Sequence, residues 1–343
     1  MAYISFQPKD YFNTKIFTGN GSTQSITGVG FEPSLTWIKN RDHANHNVLF
    51  DAVRGGSKVI YANLANAEAT ASGVTAFDSD GFTLGNDSDT NRNTNSHASW
   101  NWLANGQGSS NTDGSINTTY TSANTTSGFS ISQYTGTGSN ATVGHGMGVA
   151  PKMVIVKRLN STSQWSVYHE SIGNTKHLVL NTTAAESGAS ANYWNNTTPT
   201  TSVFSIGAGT DVNASGGTYV AYCFAEKQGY SKFGSYTGNG NADGSFIFCG
   251  FKPAFLIVKR SSDSTENWMM LDNKRSPFNV ANKRLSPNLN ASENTDIPTD
   301  FLSNGFKIRT SGGGMNASGV TYVFMAFAEA PLVGSNNVPA NAR

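Results

Sequence analysis

Hydrophobic and polar residues follow one another along this chain in short runs, and the same succession of runs occurs three times. Each copy contains an apolar run that is opened by Pro and closed by basic residues: 33–41 (PSLTWIKNR), 151–158 (PKMVIVKR) and 253–260 (PAFLIVKR). Short runs of this kind, rich in β-branched and aromatic residues, are typical of β-strands. Nowhere does a 3.6-residue apolar period persist for the length of a helix. The pattern therefore predicts an all-β fold.

Further landmarks recur at matching places in the three copies. The motif Tyr/Phe-Thr-Gly-x-Gly begins at Phe17, Tyr134 and Tyr236, and we interpret it as a hairpin turn. Each copy closes on an apolar run: 97–104 (HASWNWLA), 219–226 (YVAYCFAE) and 322–329 (YVFMAFAE). A unit of about a hundred residues is longer than a solenoid repeat, and its many short strands favour an antiparallel β-sandwich.

These copies predict three tandem antiparallel β-sandwich modules of the jelly-roll type. The predicted divisions are an N-terminal docking arm (1–12), a first module (13–108), a linker (109–127), a second module (128–228), a third module (229–331) and a C-terminal tail (332–343). Three copies of one module in one chain suit multivalent contact better than a single reaction centre.

The composition narrows the classes of partner. Charged residues make up 13% of the 343 residues and the net charge is +1, so the chain lacks the basic surface expected for nucleic acid or an anionic membrane. The 38 Asn residues outnumber the 22 Asp and Glu residues, which predicts a surface built from amides and hydroxyls. No apolar run is long enough to insert into a membrane, and residues 1–8 lack the features of a signal peptide.

The two cysteines, Cys223 and Cys249, lie in different copies, each inside or at the end of an apolar run. We interpret them as buried free thiols rather than a disulfide, which indicates folding in a reducing cytoplasm. Cytoplasmic synthesis combined with an amide-rich surface is the pattern expected of a virion component that lysis releases from the host.

Several elements of the first copy carry a resemblance to a known family: 30–41 (GFEPSLTWIKNR), 49–55 (LFDAVRG), 76–85 (AFDSDGFTLG) and 100–102 (WNW). They resemble the repeated jelly-roll module of bacteriophage tail and fibre proteins, described as SPRY-like or concanavalin-like and common in marine phages. The resemblance covers nearly the whole chain and implies a closed homotrimer. The second copy departs from it, with Tyr168-His169-Glu170 where the first has Phe50-Asp51-Ala52.

Two groups of acidic residues are candidates for a catalytic or a metal site. Asp51 and Glu68, with Asp272 and Glu293 in the third copy, could flank a sugar as in a glycosidase; pairing with arginine inside the sandwich is the favoured alternative. The stretch Asp78-Ser79-Asp80-Gly81 resembles the start of a calcium loop, but a structural turn explains it without metal. We predict no catalytic residue, no metal site and no cofactor.

Two sets of residues are candidates for binding. Trp194 lies in a polar stretch, and an aromatic platform flanked by amides is suited to holding a sugar ring; the alternative is that Trp194 inserts into a neighbouring module or subunit. The predicted glycan site is Tyr193, Trp194, Asn195 and Asn196. The N-terminal arm is unusually apolar and is predicted to dock on the particle. Its docking residues are Tyr3, Ile4, Phe6, Tyr11 and Phe12.

Together these features predict a non-enzymatic structural protein of a bacteriophage virion, made in the host cytoplasm. The favoured role is a fibre or tail adhesin that contacts host surface glycans. The alternative is a capsid-decorating or head-fibre protein that packs on other virion proteins. The expected partners are other virion proteins, further copies of the chain (a homotrimer is favoured) and, in the adhesin role, a host surface polysaccharide.

Overall fold

The computed structural model describes residues 7–263, 266–333 and 339–340. Strand accounts for 40% of the chain and helix for only 7%, so the all-β prediction is confirmed. The strands pair antiparallel in several separate sheets, and none of the sheets within the described residues is closed. Each sequence repeat contributes one larger and one smaller sheet.

The first repeat contains the first nine strands and one short helix. They are β1 (Phe12–Thr18), β2 (Gln24–Thr27), β3 (Leu35–Asn40), β4 (Asn47–Asp51), β5 (Lys58–Tyr61), β6 (Ala69–Thr70), β7 (Val74–Asp78), β8 (Gly81–Leu84), α1 (Ser88–Asn91) and β9 (Ser96–Trp102). The larger sheet has the order β1-β9-β3-β4-β5-β6, and the smaller sheet has the order β2-β8-β7.

The second repeat has the same plan, with one strand added (β10) and without counterparts of β6 and β7 among the described residues. Its elements are β10 (Tyr120–Asn124), β11 (Phe129–Thr135), β12 (Ala141–Gly144), β13 (Met153–Arg158), β14 (Ser166–His169), β15 (Leu178–Val179), α2 (Ala191–Trp194), β16 (Val203–Ile206), α3 (Thr210–Asn213) and β17 (Thr218–Phe224). The larger sheet has the order β10-β11-β17-β13-β14-β15, and β12 pairs with β16. The added strand β10 lies within the predicted linker 109–127, which is therefore part of the fold of this repeat.

The third repeat contains the remaining elements. They are β18 (Ser231–Thr237), β19 (Phe246–Phe248), β20 (Pro253–Arg260), β21 (Met269–Asp272), β22 (Thr299–Leu302), β23 (Gly305–Ile308), α4 (Gly313–Asn316), β24 (Thr321–Ala328), β25 (Leu332–Val333) and β26 (Pro339–Ala340). The larger sheet has the order β18-β24-β20-β21, the smaller has the order β19-β23-β22, and β25 pairs with β26. The C-terminal pair falls in the predicted tail 332–343.

The central strands of each larger sheet are buried on both faces. In β3 every residue from Leu35 to Asn40 is buried, and β13 and β20 are buried almost throughout. One face of β3 packs on the smaller sheet of its repeat, where Ile38 and Phe82 share a hydrophobic cluster. The other face contributes Leu35 and Trp37 to a second cluster. Burial on both faces explains why these strands read as continuous apolar runs instead of alternating ones.

The second cluster is common to all three repeats. At its centre are Trp102, Phe224 and Phe327, which occupy the same register position in β9, β17 and β24. Their ring centroids are 5.7 to 6.2 Å apart in the three pairings, within the range of favourable aromatic contacts. The three larger sheets therefore pack around one shared aromatic core.

The Tyr/Phe-Thr-Gly-x-Gly motif was wrongly predicted to be a hairpin turn. Its first two residues are the last two of β1, β11 and β18, which lie in the larger sheets. The chain then leads to strands of the smaller sheets, so the motif is a corner between sheets. A Cβ on Gly19 would lie 2.3 Å from the carbonyl oxygen of Arg92. The second glycine of the motif, Gly21, has a φ of +68°. Both positions require glycine, because one lacks space and the other has a left-handed backbone.

Candidate functional site

Two buried sites pair a carboxylate with an arginine at the end of a strand. At the end of β4, Arg54 Nε lies 2.6 Å from Asp51 Oδ2 and Arg54 Nη1 lies 3.1 Å from Glu68 Oε2. At the end of β21 the corresponding distances from Arg275 are 2.5 Å to Asp272 and 3.1 Å to Glu293. Burial, the largest single effect, would lower the pKa of Arg54, but Asp51, Tyr222 and Glu68 together outweigh it and the pKa is raised.

Each of these sites is completed by the next repeat. The hydroxyl of Tyr222 on β17 donates to Asp51 Oδ2 at 2.7 Å. The indole Nε1 of Trp100 on β9 donates to Asp272 Oδ2 at 3.0 Å. The guanidinium of Arg275 also lies 5.5 Å from the centre of the Trp100 ring, a cation–π distance. Since both carboxylates already accept several hydrogen bonds inside the protein, this geometry favours the structural interpretation over a pair of acids that flank a sugar.

The second repeat closes the set with a histidine. His169 ends β14, the strand that corresponds to β4 and β21, and its Nε2 lies 3.1 Å from the carbonyl oxygen of Phe324 on β24. The backbone N–H of Ser171 points to His169 Nδ1 at 3.2 Å. Because a carbonyl only accepts and a backbone N–H only donates, Nε2 carries the proton, Nδ1 is an acceptor and the ring is neutral. Burial lowers the pKa of His169 to about 4.

Three lysines at one strand position add a second set of contacts between repeats. Lys39, Lys157 and Lys259 are fully buried, and each ammonium donates to backbone carbonyls. One of these carbonyls belongs in each case to a neighbouring repeat, namely that of Asn290, Ala65 and Thr183, at 3.2, 2.9 and 3.1 Å respectively. Burial lowers the pKa of each lysine to about 8.

A backbone hydrogen bond accompanies each lysine. The N–H of Glu68 donates to Leu159, that of Glu186 to Ser261 and that of Glu293 to Arg41, each at 2.8 Å between nitrogen and carbonyl oxygen. The first repeat thus contacts the second, the second contacts the third, and the third contacts the first. All the contacts run in the same sense, so the three repeats form a closed ring with approximate threefold symmetry.

The predicted glycan site does not have the surface that was expected of it. Trp194 is only 2% exposed and packs at 5.8 Å against Tyr168, inside the core of its own repeat. Tyr193 stacks on His177 with ring centroids 3.5 Å apart. Asn195 and Asn196 both have left-handed backbones at the C-terminal end of α2. The prediction of an exposed indole platform is therefore wrong, and so is insertion into a neighbouring module.

The N-terminal arm also differs from the prediction where it is described. Phe12 is the first residue of β1 and is buried in the shared core, 5.0 Å from the rings of both Trp102 and Phe327. Tyr11 packs partly buried against the same cluster. These two residues belong to the fold and not to a docking arm. Tyr3, Ile4 and Phe6 lie outside the described residues.

The remaining candidates have structural partners. Asp80 lies in the turn between β7 and β8, and its carboxylate accepts hydrogen bonds from the N–H groups of Gly28 and Gly30 at 2.9 and 2.7 Å. Among the described residues, no three His, Cys, Asp or Glu side chains are grouped so that they could hold a metal. Cys223 and Cys249 are free and buried, and burial raises the pKa of each thiol to about 12. Within the same residues, no helix has the length and apolar character to cross a membrane.

One exposed apolar surface was missed by the sequence analysis. The smaller sheet of the third repeat presents Phe246 and Phe248 on β19, which are 45% and 64% exposed. Phe278 and Val280 are 77% and 43% exposed and lie beside the opposite edge of the sheet, where Ala281 pairs with β22. We call these four residues the third-repeat apolar face. An exposed patch of this kind marks an interaction site in many proteins.

Similarity to a known protein family extends over nearly the whole chain. A family model described as "Domain of unknown function (DUF7483)" matches residues 7–331 of the chain. The chain belongs to this family. No curated protein and no solved structure matches it. The DUF7483 model spans all three repeats as one domain, which agrees with their shared core.

A signal for the third-repeat apolar face is nevertheless present in the sequence. Phe246-Ile247-Phe248 places a large aromatic residue at both positions that flank a buried isoleucine. The first repeat has Ser25 and Thr27 around Ile26 at the corresponding strand. A comparison of the outward positions in the three repeats would have identified the third as the exception.

Proposed function

We propose that this DUF7483 chain is a non-enzymatic structural protein of a bacteriophage virion, built from three jelly-roll-like β-sandwich modules that one chain closes into a ring. The observation that carries the proposal is the set of equivalent contacts between repeats, made at Asp51, His169 and Asp272. It is supported by the resemblance of the repeats to modules of phage tail and fibre proteins.

The ring also changes the expected assembly. The resemblance implies a homotrimer, in which three chains would each supply one copy of a module. In this chain, residues of three repeats meet around Trp102, Phe224 and Phe327. We infer that the chain supplies a threefold unit by itself, so that trimerisation is not needed to complete the core.

Of the two roles in the virion, packing on another protein is better supported than contact with host glycans. The expected sugar platform, Trp194, is buried, whereas the third-repeat apolar face is exposed. Aromatic residues surrounded by charged side chains are typical of the centre and rim of protein interfaces. The proposed location is therefore a shell or appendage site where the chain is held by a protein partner.

The test is mass spectrometry and antibody-labelled electron microscopy of purified particles of the phage that encodes the chain. The proposal expects the chain in intact particles at a fixed ratio to the major capsid protein, with label at one type of position. If the chain is found in the lysate but not in purified particles, the virion role is excluded. Binding to host polysaccharide by the isolated chain would favour the adhesin role instead.

A further inference from the structure

The smaller sheets of the three repeats each contain one corresponding strand, namely β2, β12 and β19. In the smaller sheets, Ile26 pairs with Phe82, Val143 with Phe204, and Ile247 with Phe306. These three buried pairs occupy equivalent positions in the three repeats, so the residues before and after Ile26, Val143 and Ile247 also correspond. The outward positions are Ser25 and Thr27 in the first repeat, Thr142 and Gly144 in the second, and Phe246 and Phe248 in the third.

In the first repeat this face is polar and open to solvent. Ser25 and Thr27 are both exposed, and the hydroxyl of Ser25 lies 3.2 Å from that of Thr83 on the paired strand. Side chains of this kind are well solvated, so the face needs no cover.

In the second repeat the same face is covered by a segment of the chain itself. The N–H of Ile116 donates to the carbonyl oxygen of Thr142 at 3.0 Å, and the N–H of Thr142 donates to Ser115 Oγ at 2.8 Å. A Cβ on Gly144 would lie 1.7 Å from Asn111 Oδ1, so Asn111 sits directly on that position. Ile116 is buried in the core of the repeat. Ile116 thus forms a single parallel bridge with Val143 at the outer edge of β12, directly after a bend at 113–115.

In the third repeat the face is apolar, and within the described part of the chain β23 is the only strand paired with β19. The short connection from β17 to β18 leaves no segment like 109–119 to cover it. The nearby charges are already paired: Lys307 lies 2.7 Å from Asp243, and Arg309 lies 3.3 Å from Asp300. The surface is therefore better suited to a ligand that offers apolar side chains and backbone hydrogen bonds than to a charged ligand.

We propose that the outer edge of β19 binds an extended segment of a partner polypeptide, which adds a strand at the edge position that Ile116 occupies in the second repeat. Strand addition to a free sheet edge is a common mode of peptide recognition, in which the backbone supplies affinity and alternate side chains supply specificity. The segment would carry apolar residues at alternate positions, facing Phe246 and Phe248. This inference does not rest on the virion role, because any partner with such a segment would satisfy it.

The experiment uses the full chain and a displayed library of random short peptides. Selection on the wild-type chain is expected to enrich peptides with apolar residues at alternate positions. The test variant is Phe246→Ser with Phe248→Thr, which introduces the residues of the first repeat. It should weaken the affinity of the enriched peptides by about tenfold or more, a difference of about 1.4 kcal/mol. The matched control, Ser25→Ala with Thr27→Ala, should leave the affinity unchanged.

Two further measurements separate the proposal from its competitors. Methylating alternate backbone nitrogens of an enriched peptide should abolish binding, because strand addition needs those N–H groups. Equal binding by the methylated peptide, or by the Phe246→Ser, Phe248→Thr variant, would overturn the proposal. So would a selection that yields no alternating pattern. A concentration-dependent dimer of the wild-type chain that the double variant loses would show that the occupant is a second copy, and would also overturn it. Since both phenylalanines are exposed, equal denaturation midpoints should establish that the variant is folded.

Discussion

At the scale of single residues, Trp194 shows how a polar sequence context can conceal a buried side chain. It ends the four-residue helix α2, whose neighbours are mostly amides and hydroxyls, yet its ring packs against Tyr168 from β14. That partner is distant in the sequence, so local composition gives no sign of the contact. Trp100, Trp165 and Trp268, by contrast, lie in or beside apolar strand runs, and all three are buried.

The burial of Trp194 leads to a first prediction. Trp194→Ala should lower the free energy of unfolding by about 3–5 kcal/mol, since it leaves a cavity in the core of the second repeat. Asn192→Ala, an exposed position in the same helix, is the control and should change it by less than about 0.5 kcal/mol. Denaturant titration measures both. Equal stability of Trp194→Ala and wild type would place the indole at the surface, as the sequence analysis expected.

A second prediction concerns pH and the histidine between the second and third repeats. The pKa of His169 is lowered to about 4 by burial, from about 6.5 in an unfolded chain. Between these values the unfolded chain binds a proton that the native state excludes. The free energy of unfolding should therefore fall as the pH decreases from about 6.5 to about 4. His97 and His177, whose pKa values are also lowered to about 4, add to the same slope.

The variant His169→Gln isolates this contribution, because its amide can still donate to Phe324. It should reduce the slope between pH 4 and 6.5 by up to about 1.4 kcal/mol per pH unit, the effect of one proton. Chemical denaturation at a series of pH values gives the slope. An unchanged slope would mean that His169 is accessible to protons in the folded chain.

At the scale of elements, the strands were predictable and several of their connections were not. The apolar runs 33–41, 151–158 and 253–260 each contain a strand of a larger sheet. The Tyr/Phe-Thr-Gly-x-Gly motif fits a hairpin as well as a corner between sheets, because both need glycine. Whether the next strand pairs in the same sheet or in another depends on partners that are distant in the sequence. The strand β10 was not predicted, because Tyr120–Asn124 is a polar segment without alternating apolar residues. It nevertheless pairs with β11, the next strand along the chain.

The corner leads to a third prediction. Gly19→Ala should lower the free energy of unfolding by about 1–3 kcal/mol, because the new methyl group would meet the carbonyl of Arg92 and the backbone would have to move. Gly188→Ala is the control: nothing lies within 4 Å of a Cβ at that position. Thermal and denaturant unfolding of the two variants provide the comparison. A Gly19→Ala chain as stable as the control would show that the corner is not tightly packed.

At the scale of the whole molecule, the number of repeats could be predicted and their closure into a ring could not. The residues that join the repeats differ from one interface to the next: Tyr222 meets Asp51, Trp100 meets Asp272, and His169 meets a backbone carbonyl. Inspection of the copies singles out Asp51, Asp272 and His169, but it does not show that they face another repeat, because their partners differ in chemistry. The lysines at 39, 157 and 259 do repeat, and this recurrence is a trace of the interfaces that the sequence itself shows.

The ring predicts a single cooperative unit rather than three independent domains, since Trp102, Phe224 and Phe327 belong to one core. A truncated chain that lacks the third repeat would expose this core and one side of each remaining interface. A single family model that spans residues 7–331 agrees with this closure.

Small-angle scattering of the purified chain, with its mass measured on the same sample, tests the closed ring most directly. A compact particle of one chain of 343 residues should have a radius of gyration of about 20 Å. Three modules of about a hundred residues, each with a radius of gyration of about 13 Å, would give a radius of gyration of about 30 Å if they were arranged in an extended row. The ring predicts the smaller value at the mass of a single chain. The larger value at that mass, or a compact particle formed only by several chains, would contradict it.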